Sequence, residues 1–257
     1  MDTPWKKALR PALIALGRQV VKRRYPEPPI FIGGCGRSGT TLLLSILSAH
    51  PQVKALPREL GLFNELDYDA EGRPYSRRMD RLYWALLQTP RRKGQRRFCE
   101  KSPNNIRHID ALENHYGDRF RLVHIIRDGR DVVLSRHPRR PDAFWVSPER
   151  WVADVEAGWA LREHPAVHTL FYEDLVQHYA PTVAALCHFL GLPYTREMEN
   201  WLDHATVRQN RAYQGRSVQA LQGQSVGKWR QPENQERYEV FKQTPGALAL
   251  LEELGYN

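Results

Sequence analysis

Residues 30–44 read IFIGGCGRSGTTLLL, and this stretch decides the fold. Ile30, Phe31 and Ile32 have the composition of a short buried strand. Gly33, Gly34, Gly36 and Gly39 then make a turn with little side-chain bulk, and the apolar run after Thr41 predicts a helix opening at Ser38 or Gly39. A glycine-rich strand-to-helix turn lets successive backbone N–H groups point inward, and the helix N-terminus adds its positive dipole end. The product is a cradle for a phosphate or a sulfate.

The spacing nearly matches the nucleotide-triphosphate loop G-x-x-x-x-G-K-[ST], with Gly34 and Gly39 as the fixed glycines. The departure is informative. Thr40 stands at the lysine position, and a cation, Arg37, lies inside the loop instead. The loop reads as an anion site, but not as one for ATP and magnesium.

Outward from the loop, the chain alternates strands and helices. Phe98–Glu100 and Phe120–Ile126 (FRLVHII) read as buried strands, Val167–Tyr172 as another. Helices are expected over Thr40–Ala49, Arg77–Leu87, from Asn104 or Asn105 to Tyr116, from Asp128 through Ser135, over Pro148–Arg162 and Pro181–Leu190, and over Gly246–Leu254. Residues 52–70 are mixed, and Val207–Gln231 is a loop by composition. The pattern implies an α/β fold: a P-loop-like single domain with a central parallel sheet of about four or five strands, flanked by helices. Ile30–Ile32 and Leu122–Ile126 should be interior strands.

The chain has 257 residues, enough for one domain with a full core. Residues 1–25 read as a basic amphipathic N-terminal helix and 26–257 as the main α/β domain. In the helix Trp5, Leu9, Ile14, Leu16, Val20 and Val21 alternate with Lys6, Lys7, Arg10, Arg18, Lys22, Arg23 and Arg24; Pro11 could divide it in two. Such a helix either lies on an anionic membrane or packs on the domain with its charges solvated. The net charge of +9 favours anionic partners, although many proteins are basic for solubility alone. Three scattered cysteines, Cys35, Cys99 and Cys187, argue against a disulfide framework and a zinc site, and suit a reducing compartment. No stretch approaches the ~20 apolar residues of a membrane span.

Four segments together resemble the sulfotransferases that use 3′-phosphoadenosine 5′-phosphosulfate, in the branch containing tyrosylprotein and carbohydrate sulfotransferases. GRSGTT at 36–41 is similar to the family's 5′-phosphosulfate loop. RLVHIIRDGRDVVLS at 121–135 resembles its 3′-phosphate motif, TLFYEDLV at 169–176 its Y-E-D-L segment, and SVGKWR at 225–230 its late G-x-W loop. The resemblance implies that Gly36, Arg37, Ser38, Gly39, Thr40 and Thr41 hold the 5′-phosphosulfate. It places Arg127 and Ser135 on the 3′-phosphate, with Lys228, Trp229 and Arg230 closing from the tail. Tyr172-Glu173-Asp174 reads as a strand end and helix cap rather than a catalytic element, with Tyr172 kept among the donor-binding residues. A sulfuryl group carries one negative charge, so side-chain cations can replace Mg²⁺, and no metal is expected.

For the general base, the phenol-type branch uses a histidine two residues after a lysine. Here Lys101 is followed at that distance by Pro103. The carbohydrate-type branch uses a glutamate in K-E-x-x-x-F, and Arg58-Glu59-Leu60-Gly61-Leu62-Phe63 is similar. Glu59 is therefore the expected base, with Glu100 and His108 in reserve, while Lys101 and Arg37 stabilise charge at the sulfuryl. The basic loops and N-terminus favour a saccharide or glycolipid hydroxyl over a protein tyrosine or small phenol. The absence of a Golgi-type anchor fits a bacterial, cytoplasmic enzyme or a truncated chain, membrane-associated if the helix binds lipid. Two rivals remain: a P-loop kinase with Asp128 in the Walker-B place, and a non-catalytic binder of nucleotide or nucleic acid. A magnesium requirement would mark the first, and lack of turnover the second.

Overall fold

The central strand of the computed structural model is β1 (Ile30–Gly33), every residue of it buried. The structure describes residues 4–137, 140–208 and 225–256. Five parallel strands form the main sheet: β1, β2 (Val53–Ala55), β5 (Arg97–Lys101), β6 (Arg121–Ile126) and β9 (Val167–Phe171), in the order β2-β5-β1-β6-β9. Two antiparallel pairs lie outside it: β3 (Leu66–Tyr68) with β4 (Pro74–Ser76), and β7 (Arg136–His137) with β8 (Arg140–Phe144).

A parallel sheet covered on both faces needs strands that are apolar on both sides, and β1 and β6 meet that need. Ile30, Ile32, Val123 and Ile125 belong to one core with α2 (Thr40–Leu47) and α8 (Tyr179–Leu190). Phe31 and Leu122, offset by one residue, join the opposite core with α1 (Pro4–Arg24), α3 (Met79–Gln88) and α4 (Ile109–Tyr116). Full burial of each such side chain is worth roughly 1.5–3 kcal/mol. A third cluster gathers Ile126, Trp151 and Phe241 where α5 (Gly129–Val132), α6 (Pro148–Trp159), α11 (Gln235–Lys242) and α12 (Ala247–Glu253) meet. Short helices α7 (Tyr172–Gln177), α9 (Arg196–Glu199) and α10 (Trp201–His204) complete the element order.

Register fixes the site. Ile32 pairs with Lys101 on one side and with Val123 on the other, and Ile126 pairs with Phe171. Gly33, Lys101, Arg127 and Tyr172 therefore emerge at one edge, the C-terminal ends of the strands, where open α/β sheets bind ligands.

Three expected elements differ. The helix expected from Asp128 through Ser135 stops at Val132. Ser135 instead precedes the β7–β8 hairpin, closed by a hydrogen bond from the Trp145 N–H to the Ser135 carbonyl (2.8 Å). Asn104 and Asn105 do not cap a long helix. Pro103–Arg107 is a 3₁₀ turn, and the Asn105 amide turns inward to donate to the Ile32 carbonyl (3.0 Å). Finally, α1 runs unbroken through Pro11. The stretch expected to be loop over Val207–Gln231 lies largely outside the described residues.

Buried histidines make stability depend on pH, His124 and His115 most strongly. His124, on β6, is buried with neither ring nitrogen hydrogen-bonded, and burial lowers its pKa from 6.5 to about 3. Gly158 lies flat against its ring; a Cβ there would sit 2.3 Å from the imidazole. Burial, aided by Arg18, lowers His115 to about 4. Both depressed values favour the neutral ring in the fold, so this stability is present above pH 6.5 and is lost as pH falls toward the folded values. Each should cost about 1.4 kcal/mol per pH unit below that point. Thermal melts should show a falling Tm from pH 7 to about 5.5, with a shallower slope for His124→Asn. A flat profile would contradict this account.

Candidate active site

The loop between β1 and α2 is a close-fitted turn. A Cβ at Gly34 would sit 2.4 Å from the Ile125 carbonyl oxygen, and one at Gly39 2.6 Å from the Tyr172 ring. Both glycines have positive φ (139° and 97°), so no side chain fits on either ground. Arg37, at φ 73°, is the one non-glycine residue with positive φ among the described residues. Strained backbone of this kind concentrates at ligand-binding turns. Gly36 lies at the tip beside Trp145, whose ring stacks on His137 (4.4 Å). Ser38 is fully buried, and its hydroxyl has no hydrogen-bond partner. A buried orphan donor in an amide-lined turn fits an anion. Cys35, also in the loop, is a packing residue whose thiol is pushed well up by burial.

On the β5 side, the turn meets a cation. Lys101 is 1% exposed, and its ammonium donates to the Thr41 hydroxyl (3.0 Å) in the first turn of α2. It also forms a short ion pair with Glu59 Oε1. The Glu59 side chain is 48% exposed, and its other oxygen makes no hydrogen bond among the described residues. Thr40 is buried next to Thr41.

Behind Glu59 lies a clamp that the sequence gives no sign of. Glu100 is wholly buried and accepts from the Leu60 N–H (3.1 Å), the Ser102 hydroxyl (2.8 Å) and the Asn105 amide (2.8 Å). Ser102 in turn accepts from the Gly61 N–H (3.2 Å). The two residues after Glu59 are thus fixed by a side-chain network on β5 and the following turn. Burial raises the Glu100 pKa. With its oxygens so used, Glu100 faces the loop backbone rather than the mouth of the site. His108, the other reserve candidate, bonds Asn104 (2.8 Å) and stacks near Phe63 (5.6 Å), its pKa lowered by burial.

On the β6 side, Arg127 reaches across the loop. It donates to the carbonyls of Arg37 (3.3 Å) and Ser225 (2.5 Å), and lies over the Tyr172 ring at 4.5 Å. Its Nε is buried without a partner, so the guanidinium keeps donors to spare. The Tyr172 hydroxyl bonds Ser225 Oγ (2.7 Å). Asp131, which by sequence could equally pair with Arg127 or Arg130 in a surface network, accepts from the Gly227 and Trp229 N–H groups (2.7 and 3.0 Å), and burial raises its pKa. The tail segment 225–230 is thereby tied to α5 and to Tyr172. Trp229 lies between Arg130 (4.0 Å) and Arg230 (4.4 Å), while Lys228 and Arg230 are exposed. Arg130 pairs with Asp128 in a buried ion pair (2.9 Å). Glu173 accepts from the Asp128 N–H (3.1 Å) and the Tyr256 hydroxyl (2.7 Å), a structural role.

The structure therefore brings Arg37, Ser38, Gly39, Thr41, Lys101, Glu59, Arg127, Tyr172 and the 225–230 segment to one edge of the sheet. Ser135 is half-buried at the root of the hairpin, and among the described residues its side chain bonds neither Arg127 nor the loop.

Comparisons with known proteins bear on the family and the fold. The model of the sulfotransferase family matches residues 28–87 and 63–196. Protein-tyrosine sulfotransferase 2 of Gallus gallus is 26% identical over 214 residues, covering 71% of this chain and 57% of that protein. Protein-tyrosine sulfotransferase 1 of Danio rerio is 28% identical over 194 residues, covering 65% and 54%. The chain thus spans a little over half the length of these two relatives. Among solved structures, the sulfotransferase domain from the curacin biosynthetic pathway aligns with a TM-score of 0.60 at 18% identity, over 90% of this chain and 98% of that one. The sulfotransferase domain of the Synechococcus PCC 7002 olefin synthase gives 0.56 at 21% identity, over 86% and 96%. These two likenesses are of fold.

Proposed function

The chain belongs to the sulfotransferase family, and from that premise we propose that it moves a sulfuryl group from 3′-phosphoadenosine 5′-phosphosulfate to an acceptor hydroxyl. The observation that carries the reading is the Lys101 ammonium, bonded at once to Thr41 in the anion loop and to the half-exposed Glu59. A cation at that junction lies between a bound sulfuryl and a carboxylate able to take a proton.

In this reading the loop amides, Arg37, Ser38 and Thr41 hold the phosphosulfate, and Arg127 holds the 3′-phosphate. Tyr172 and the 225–230 segment enclose the nucleotide. Glu59 removes the acceptor proton as the acceptor oxygen bonds to sulfur. The bond from sulfur to the bridging oxygen breaks in line, and 3′,5′-adenosine bisphosphate leaves. Lys101 and Arg37 stabilise the charge that gathers on the equatorial and bridging oxygens. Glu100 acts as a positioning residue, holding the backbone that carries Glu59. The work of a metal falls to these cations, so activity should persist in EDTA.

For the acceptor we retain a saccharide or glycolipid hydroxyl, on the strength of the basic loops. The names of the relatives favour a second reading, a protein tyrosine. A screen with labelled donor over saccharides, glycolipids, phenols and tyrosine peptides tests both. Transfer to any of them supports the activity, and the preferred class identifies the acceptor. Transfer to none, alongside Mg²⁺-dependent transfer from ATP, would return the kinase reading.

The donor site has its own test. Arg127→Ala should weaken 3′,5′-adenosine bisphosphate by about 2–4 kcal/mol, the scale of a lost charge-assisted contact together with release of the Ser225 carbonyl. Unchanged affinity by calorimetry would remove Arg127 from the donor site.

A further inference from the structure

The helix before β1 is attached to the domain along a stripe. A Cβ on Gly17 would lie 2.8 Å from Tyr83 Cβ, Val21 is buried, and Arg24 donates to the carbonyls of Thr89 (2.9 Å) and Leu87 (3.5 Å). Arg18, on one flank of the stripe, reaches the His115 carbonyl of α4 (2.9 Å). At 100° per residue, Leu16 and Val20 stand on the opposite flank, toward α3. On α3, Tyr83 and the Leu87 carbonyl face α1, and the same periodicity turns Trp84 and Leu87 outward on that side. The two helices thus share an outward crease.

The crease is apolar and exposed: Leu16 60%, Val20 38%, Trp84 64% and Leu87 40%. These are four of the nine large hydrophobic side chains exposed among the described residues, and the helical periodicity sets them on one side. The surroundings are cationic. Residues 12–24 contain no acidic residue, and residues 77–97 contain eight Lys and Arg against Asp80 alone. Lys22, Arg23, Arg81, Arg92 and Lys93 are exposed and make no ion pair among the described residues.

We propose that this crease seats the protein on an anionic lipid surface. Aliphatic side chains and a tryptophan ringed by lysine and arginine match the interfacial zone of a bilayer, where apolar groups enter the acyl boundary and cations meet headgroups. A second copy of the chain would set cation against cation. A nucleic acid would satisfy the charges and leave Leu16, Val20 and Leu87 in water. The protein would lie on the membrane and not cross it; no helix of the described residues is long and apolar enough to span one. The inference is independent of the acceptor, although a lipid-linked acceptor would be reached from such a seat.

The test is sedimentation of the full chain with phosphatidylcholine vesicles, with and without phosphatidylserine. Binding should require phosphatidylserine and weaken with salt. Trp84→Ser with Leu87→Ser should lower the partition coefficient at least about tenfold, as should Leu16→Ser with Val20→Ser. Thermal melts and bisphosphate affinity should be unchanged, which separates failure here from failure of the transferase reading. Three results would overturn the proposal: no binding to phosphatidylserine vesicles, equal binding by both variants, or a concentration-dependent dimer that the variants abolish without any vesicle binding.

Discussion

Glu59→Gln should lower kcat by about 10²-fold or more, the usual scale of a lost general base, while donor affinity and the fold stay those of the parent. The acceptor hydroxyl is a poor nucleophile until its proton is taken, and the amide cannot take it. Because Glu59 is half-exposed and fixed through one oxygen, the substitution removes basicity and one ion pair but little packing. Steady-state turnover with labelled donor, alongside calorimetry with 3′,5′-adenosine bisphosphate, separates the chemical step from binding. The reserve candidates should behave differently. Glu100→Gln keeps the shape of a buried carboxyl and should stay active. Glu100→Ala frees the Leu60 N–H and should reduce kcat more than it raises the donor KM, with the glutamine variant marking how much depends on the clamp. Normal turnover by Glu59→Gln, with Glu100→Gln or His108→Ala dead, would move the base elsewhere.

Lys101→Met should be as damaging, at about 10²–10³-fold in kcat, the range for removing one fixed donor at a site of developing charge. Lys101 is buried between Thr41 and Glu59, so its charge acts where water screens it little. The product nucleotide lacks the sulfuryl, and its affinity should change by only a few fold; the same calorimetry reads this directly. Lys101→Arg should rescue little, because a planar fork does not fit a slot shaped for a point charge. Wild-type kcat in the methionine variant would take Lys101 out of the reaction.

Much was legible in the sequence because its signals are local. A strand, a glycine turn and a helix start within fifteen residues announce an anion loop whatever surrounds them, and Gly34 and Gly39 are conformational necessities there. The run at Phe120–Ile126, apolar at five of its seven positions, and the short Phe98–Glu100 segment gave two more interior strands, although Glu100 and His124 are buried in them as well. The three-residue β2 and the hairpins carry no such signal. They owe their pairing to neighbours: Val53–Ala55 is a strand because β5 lies beside it.

Tertiary structure alone decided what joins the motifs. Nothing in residues 97–107 announces that Glu100 would be spent on the Leu60 N–H, or that Asn105 would turn inward instead of capping a helix. Asp131 reads as one helix residue among charges until the tail folds back and offers it two N–H groups. The helix after Arg127 ends at Val132, and the Ser135 carbonyl beyond it accepts from the Trp145 N–H, a bond ten residues along the chain. The hydrophobic faces of α1 and α3 were each visible as a period, yet only their contact through Gly17 and Tyr83 shows which side chains remain outside. Backbone conformation and burial pattern are short-range properties, written in consecutive residues. The partner of a buried polar group is set by whichever distant segment the fold brings within hydrogen-bond reach, and the sequence does not carry that distance.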